Sequence, residues 1–237
     1  MKLLGVLLLF WVVSANGVTE YCGTSDKEYW PVETTPAADT NQFFNPYLIV
    51  MLDDQNQYRI WDDSQKHNLT YCISDRFGKH KKVMVDAVVE ATREWEKYAN
   101  VTFIYKPEED KNCTPKNSNV LFRIDLKNSR RTRYRARAFF PGDEQKKRTV
   151  FYKKKHIKDS PNDLVRLSLH ELGHVLGFRH EHIHPETVRD CKELNPFEPI
   201  TDYDIESIMH YPLCGGKNRT GGLSAKDKEG AGILYPF

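Results

Sequence analysis

The feature that most constrains the fold is the segment 170–180, which has the sequence HELGHVLGFRH. His170 and His174 are four residues apart, so both imidazoles project from one face of an α-helix. Gly177 can take the left-handed conformation that ends a helix, and the chain can then turn back to carry His180 towards the first two histidines. Apolar residues at helical spacing over 164–176 bury one side of this helix. The segment therefore predicts a buried helix with three histidines directed at one point.

Three converging imidazoles predict a divalent metal site. Zinc binds imidazole nitrogen at about 2.0–2.1 Å, and three protein ligands leave the open fourth position of a catalytic site. We therefore expect one catalytic Zn²⁺ on His170, His174 and His180. Glu171 is expected to be the general base, which takes a proton from metal-activated water and passes it to the leaving amine. Three further histidines are interpreted as solvated or structural rather than as ligands: His182, His184 and His210.

The N-terminal residues indicate export. Residues 1–17 are predicted to be a signal peptide, because Lys2 precedes an apolar run at residues 3–13 that is too short to span a bilayer comfortably. A membrane anchor is the alternative. Residues 18–58 contain prolines and little periodicity, which predicts a propeptide or N-terminal extension. Residues 59–237 are expected to form the catalytic domain of a secreted, extracellular protein without stable membrane insertion.

The five cysteines fit an oxidising compartment, where four can form two disulfides. We expect Cys191 to pair with Cys214 and Cys72 to pair with Cys113. Four N-glycosylation sequons matter only if the source is a eukaryote; they begin at Asn68, Asn100, Asn112 and Asn218.

Hydrophobic periodicity predicts a mixture of strands and helices. A helix is expected over residues 83–99, and a closing helix over 224–234 with Ser224 as its N-cap. Ser160, Pro161 and Asp163 have the order of a helix start before the histidine segment. Strands are predicted at residues 69–74, 101–105, 119–125, 134–140 and 149–152.

The histidine segment resembles that of the metzincin zinc endopeptidases. Within this clan, Glu181 after the third histidine and the segment Tyr203–Tyr211 are similar to the astacin family. The resemblance implies an α+β zincin domain: a twisted mixed sheet, two long helices, an irregular C-terminal subdomain and zinc in the cleft between. It also implies that Met209 forms a hydrophobic floor beneath the zinc. Tyr211 would be a further ligand that swings away to hydrogen-bond the tetrahedral intermediate.

Other segments resemble the matrixin family. Residues 136–141 and 150–151 do so, and Cys22-Gly23 faintly resembles the matrixin latency motif, in which a propeptide thiolate takes the fourth zinc position. The alternative for Cys22, a disulfide to one of the other cysteines, is favoured. In astacins the residue at the Glu181 position contacts the new N-terminus after activation. A divergent astacin-like metzincin is thus the prediction, with a matrixin-type protease or a non-catalytic binding protein of the same fold as alternatives.

The charge distribution bears on partners. A formal net charge of +2 gives no reason to expect nucleic acid. By the resemblance, residues 134–140 form an edge strand to which a peptide substrate can add. Basic residues alternate along and beside this strand, either as a solvated face or as a surface for acidic substrates or matrix polyanions. They are Arg131, Arg133, Arg135, Arg137, Lys146, Lys147, Arg148 and Lys153–Lys155. We expect a monomeric, secreted zinc-dependent endopeptidase that hydrolyses internal peptide bonds of extracellular proteins.

Overall fold

The computed structural model describes most of the chain after residue 47. The described residues are 48–129, 131, 134–185, 191, 193 and 196–237, together with the backbone of residues 21–23. The predicted signal peptide and most of the predicted extension lie outside them. Within the described residues, no helix has the length and apolar character that crossing a membrane requires.

Strands and helices are both present, as an α+β fold requires. The described strands are β1 (Tyr21–Gly23), β2 (Ile49–Met51), β3 (Leu69–Ile73), β4 (Phe103–Tyr105), β5 (Phe122–Lys127), β6 (Tyr134–Arg137), β7 (Thr149–Lys153) and β8 (Phe197–Pro199). The helices are α1 (Lys81–Glu96), α2 (Lys154–Asp159), α3 (Leu164–Val175) and α4 (Ala225–Leu234). All five strands predicted after residue 59 are found as β3 to β7, with shifted ends.

The main sheet is mixed, with the order β1–β6–β7–β5–β3–β4. Strands β4, β3, β5 and β7 pair in parallel, whereas β6 runs antiparallel to β7. β1 adds to the outer edge of β6 in parallel, with Tyr21 opposite Tyr134 and Gly23 opposite Arg137. A separate antiparallel pair joins β2 to β8. The prediction of an α+β fold with a mixed sheet is confirmed. The expected free edge at β6 is covered by the chain itself.

The helix start differs in detail from the prediction. Ser160 precedes a short 3-10 turn, Pro161–Asp163, and its hydroxyl makes no capping hydrogen bond. Asp163 instead pairs with Arg166 at 2.6 Å. At the C-terminus Ser224 does cap α4, where its hydroxyl and the Asp227 carboxylate form a reciprocal capping box. The pattern of Lys154–Asp159 does not predict α2, because only two of its side chains are buried.

Helix α1 packs against α3 and helps to fix it over the sheet. The indole nitrogen of Trp95 donates to the carbonyl of Leu169 at 2.9 Å, and the Trp95 ring stacks on Phe178. Leu48 and Val50 join the same core, and the amide of Arg179 donates to Ile49 O at 2.8 Å. The extension predicted over residues 18–58 therefore includes a short strand that packs beside the end of α3.

Both predicted disulfides are present. Cys72 pairs with Cys113, which joins β3 to the loop before β5, and Cys191 pairs with Cys214. All four other cysteines are thus paired with one another. The favoured prediction that Cys22 bonds to one of them is therefore wrong, since no other cysteine of the chain remains for it.

Candidate metal centre

Helix α3 and the turn that ends it bring three histidines together. His170 and His174 lie one turn apart and are buried. The helix ends at Val175, and Gly177 has a φ of +102°, where a side chain is strained. A Cβ at Gly177 would also lie well under 3.0 Å from the carbonyl oxygen of Arg59. The predicted stop at Gly177 is confirmed, and the reversal carries His180 back to the helix.

The ring nitrogens have the spacing that a metal requires. Nε2 of His174 lies 3.1 Å from Nε2 of His180, and one nitrogen from each of the three rings lies within 4.8 Å of the others. Bond lengths of about 2.0–2.1 Å in a tetrahedral zinc site put ligand nitrogens about 3.3 Å apart. The His174–His180 pair has close to that spacing, and the third ring is near enough to complete a zinc site.

Hydrogen bonds fix how two of the rings are oriented. Nδ1 of His170 donates to the carbonyl of Ile208 at 2.8 Å, and Nδ1 of His174 donates to the carbonyl of Phe178 at 2.7 Å. A carbonyl can only accept, so the proton of each neutral ring is on Nδ1 and the lone pair is on Nε2. Burial lowers the pKa of both rings well below the ordinary value, and lowers the pKa of His180 to about 3. Burial therefore favours the neutral form of each ring, which is the form that binds a metal.

Met209 packs against α3 between the two helical histidines. A Cβ built on Gly173 would lie well under 3.0 Å from Met209 Sδ and 3.1 Å from Cε, so glycine is needed at this contact. The turn before Met209 is held by Asp227, which accepts from the Ser207 hydroxyl at 2.6 Å and from the Ile208 amide at 2.8 Å. Met209 therefore packs against α3 at Gly173, and its role as a hydrophobic floor beneath zinc stays a prediction.

Glu171 and Tyr211 both lie at this centre. The side chain of Glu171 is completely buried beside His170. Burial raises the pKa of Tyr134 on β6, and the negative charge of nearby Glu171 adds to that rise. Tyr211 packs its ring on His180, with centroids 4.1 Å apart, and on His170 at 5.8 Å. Tyr211 thus lies against two of the three histidine rings, and Glu171 is buried on the helix that carries His170 and His174.

Comparison with known proteins assigns the family. The family model of the matrixins, a group of peptidases, matches residues 61–211, which is more than half of the chain. The match contains the three histidines, Glu171 and the Met209 turn. The chain belongs to the matrixin family. This family consists of zinc peptidases of the metzincin type.

Individual relatives of this matrixin agree with the fold. Bone morphogenetic protein 1 of Xenopus laevis, an astacin-family protein, is 29% identical over 172 residues, covering 65% of this chain. The chain spans only 20% of that relative's length. Two solved structures of myroilysin are 19% and 18% identical, with TM-scores of 0.57 and 0.51. They cover 80% and 75% of this chain, and the alignments span 98% and 89% of the myroilysin chains. At that identity they support the fold alone.

The metzincin resemblance found in the sequence is thus confirmed. The matching family model is that of the matrixins, the alternative to the predicted astacin-like protein. The curated relative shows that similarity to the astacin family is present as well.

Glu181 ties the third histidine to the Met209 turn in this matrixin. Its carboxyl group accepts a hydrogen bond from the backbone amide of Asp204 at 2.7 Å. Its own backbone amide donates to the carbonyl of Met209 at 3.1 Å. Burial raises the pKa of Glu181 to about 9. The side chain therefore stabilises the loop through the hydrogen bond to Asp204.

The three remaining histidines of this region are buried, so the alternative that they are solvated is wrong. They pack among the aromatic rings of the C-terminal half. His182 stacks on Tyr211 with centroids 4.6 Å apart, and His184 packs on Tyr203 at 5.4 Å. The Tyr203 hydroxyl lies 2.9 Å from Nε2 of His210. Their burial and ring contacts agree with a structural role for these three histidines.

One residue at the centre was missed by sequence reasoning. Glu193 hydrogen-bonds Nδ1 of His180 and forms an ion pair with Arg179 at 2.6 Å. Burial alone would raise the pKa of Glu193, but His180 and Arg179 hold it well below its ordinary value. The residue lies in an irregular stretch with no periodicity. Its only sequence cue is its position two residues after a disulfide-bonded cysteine.

Proposed function

We propose that this protein is a secreted zinc endopeptidase that cleaves internal peptide bonds of extracellular proteins, with Zn²⁺ held by His170, His174 and His180. The observation that carries the proposal is the convergence of three buried imidazoles, each with a ring nitrogen within 4.8 Å of those of the other two. A bound zinc ion would supply Lewis acidity, polarising a carbonyl and lowering the pKa of coordinated water to about 7.

Glu171 is the proposed general base. It follows His170 on α3, and we propose that its carboxylate faces the position that the three ligands would leave open. There it takes a proton from the attacking water and delivers it to the amine that leaves. Complete burial keeps bulk water from this carboxylate and strengthens its electrostatic effect.

Tyr211 is the proposed donor to the oxyanion. Its ring packs against those of both His180 and His182, at centroid distances of 4.1 and 4.6 Å. A phenol held in this way can donate a hydrogen bond to negative charge that develops on the scissile carbonyl oxygen, and such donors are worth about 3–4 kcal/mol of transition-state stabilisation.

The substrate is proposed to bind as a strand on the outer edge of β6. Main-chain hydrogen bonds along such an edge tolerate many sequences, which suits cleavage inside a polypeptide. Residues 21–23 occupy this edge in parallel register, so they must leave before a peptide can add there. This arrangement supports a latent form of the enzyme.

Cys22 lies at the centre of that strand and is the candidate for latency through its thiolate, a good zinc ligand. The pairing of the other four cysteines supports this hypothesis. Replacing Cys22 with serine should raise the activity of the unprocessed chain, measured on a fluorogenic peptide. Unchanged activity would remove the thiolate from the account of latency, while leaving strand β1 as a steric block.

Export, glycosylation and a monomeric state belong to the same proposal. The two disulfides suit an oxidising compartment. The side-chain amide of Asn218 donates to two backbone carbonyls, and these hydrogen bonds would oppose modification at that sequon.

A polyanion-binding surface receives less support. Lys146 and Lys147 pair with Glu144, Arg135 lies 3.6 Å from Asp163, and Lys153 is buried. Within the described part of the chain, these contacts reduce the charge that the basic face presents. Strong salt dependence of kcat/KM would favour electrostatic attraction of acidic substrates.

The decisive experiment compares the purified, activated chain with its Glu171→Gln variant in a casein assay. We expect cleavage that stops on chelation, returns with Zn²⁺, and falls by about 10²–10⁴-fold in the variant, as for loss of a general base. Proteomic mapping of cleavage sites would then define the substrate preference. A chain that binds zinc but cleaves nothing in either form would instead be a binding protein with this fold.

A further inference from the structure

Glu193 contacts three side chains around the third histidine: His180, His182 and Arg179. One carboxylate oxygen accepts a hydrogen bond from Nδ1 of His180 and lies 3.3 Å from Nε2 of His182. The other oxygen pairs with the guanidinium of Arg179 at 2.6 Å. The side chain of Glu193 is 12% exposed and that of Arg179 is fully buried. The carboxylate is therefore held from two sides.

The three proposed ligands are oriented differently. His170 and His174 each donate Nδ1–H to a neutral backbone carbonyl. His180 donates to a charged carboxylate instead, which holds the proton on Nδ1 and leaves Nε2 directed at Nε2 of His174. His180 also lacks a helix to hold it, because it lies after the reversal at Gly177.

A carboxylate on the far nitrogen of a metal-bound imidazole has two effects. It fixes the tautomer and the ring orientation, and it makes the ligating nitrogen more basic. Arg179 offsets the cost of burying this negative charge, since a buried carboxylate needs a close cationic partner. The Cys191–Cys214 disulfide anchors the chain two residues before Glu193.

We propose that Glu193 is a positioning residue that orients His180 and strengthens its bond to zinc. This inference rests on the proposed zinc site. The competing explanation is a second cation held by His180, His182 and Glu193, whose ligand atoms lie within 4.8 Å of one another. The positive charge of Arg179 beside Glu193 and the direct His180–Glu193 hydrogen bond both oppose such an ion.

The test measures zinc affinity as well as activity. Full-length wild type and Glu193→Gln are titrated with Zn²⁺ against a chelator of known affinity, and bound zinc is counted by mass spectrometry. Glu90→Gln, an exposed glutamate on α1, is the matched control. We expect Kd for zinc to rise about 10–100-fold in Glu193→Gln. The control should stay within twofold of wild type.

The outcomes separate the two proposals. A wild-type chain that binds no zinc would refute the proposed function itself. Zinc bound equally by wild type and Glu193→Gln would refute only the role of Glu193, even if the variant were less stable. Two zinc ions in wild type, one of them lost in the variant while the other keeps its Kd, would establish the second cation site instead.

A second variant guards against misfolding. Glu193→Asp keeps the charge opposite Arg179 but withdraws the carboxylate from Nδ1 of His180, so Kd should again rise. Thermal unfolding of the zinc-free proteins shows whether each variant folds. On a peptide substrate at saturating zinc, kcat of the activated Glu193→Gln enzyme should fall with KM unchanged, since β6 and the rest of the cleft are untouched.

Discussion

Replacing Gly173 with alanine would place a methyl group against Met209, on the turn of α3 between the first two histidines. The new Cβ would lie well under 3.0 Å from Met209 Sδ, 3.1 Å from its Cε and 3.4 Å from Cζ2 of Trp95. Carbon atoms at rest prefer separations of about 3.5–4.0 Å. Met209 must therefore move within the core, since both it and Trp95 are fully buried.

The expected magnitude is the difference between two effects. Alanine is the better helix former by about 1 kcal/mol, whereas overpacking of a filled core costs about 1–3 kcal/mol. Gly173→Ala should therefore lower the free energy of unfolding by about 0–2 kcal/mol. Gly232→Ala on α4 is the control. Its nearest neighbour would be a backbone oxygen at 3.5 Å, an ordinary contact, so this variant should be stabilised.

A double-mutant cycle isolates the contact. Met209→Ala alone should cost about 2–5 kcal/mol through the cavity that it leaves. Combined with Gly173→Ala, the clash disappears, so the double mutant should be more stable than the sum of the single effects by about 1–3 kcal/mol. Urea unfolding of the zinc-free chains gives these values. Additivity within about 0.5 kcal/mol, or stabilisation of Gly173→Ala equal to that of Gly232→Ala, would refute the reasoning.

Three further predictions concern the surroundings of the centre. Asp227→Ala should lower the free energy of unfolding by about 3 kcal/mol because it leaves buried donors on the Met209 turn unmatched, and an unchanged urea midpoint would contradict this. Serine at both Cys191 and Cys214 should cost about 3 kcal/mol by chain entropy. It should also weaken zinc binding, because the chain before Glu193 is no longer anchored. An unchanged Kd for zinc would refute this second effect and leave only the loss of stability. Burial acts to raise the pKa of Asp163, but His156 and Arg166 lower it below its ordinary value. The ionised carboxylate therefore stabilises the folded state above the pKa of the unfolded chain, and this stabilisation is lost as the pH falls below that value. The stability difference between wild type and Asp163→Asn should therefore shrink below about pH 4, and a difference that is constant with pH would exclude this linkage.

The parts of the fold that sequence could predict are those encoded by nearby residues. Helical spacing and Gly177 are enough to predict α3, its end and the return of His180. The Ser224 cap and strands β3 to β7 follow from local patterns in the same way. Disulfide pairing was also predicted correctly, with little more than the proximity of Cys191 and Cys214 as a guide.

The parts that sequence could not predict depend on distant partners. The short strand Ile49–Met51 has too few residues for a periodic signal, and it is specified by its contacts with β8 and with the residues after α3. The edge of β6 gives no sign that β1 will pair with it. Glu193 has no motif at all, because its position follows from a disulfide and from an arginine that lies fourteen residues earlier in the sequence. Ser160 has the residue type of a cap, but Asp163 turns to Arg166 and a 3-10 turn intervenes.

All three proposed ligands come from the single stretch 170–180, so the ion would bridge a helix to its own continuation rather than two remote halves of the molecule. Its influence on the C-terminal half would pass through the outer imidazole nitrogens, to Ile208 from His170 and to Glu193 from His180. Demetallation should then leave α1 and the parallel strands intact. The loss of local stability would be confined to the segments around Ile208 and Glu193. Their backbone amide hydrogens would then be the first to exchange with solvent.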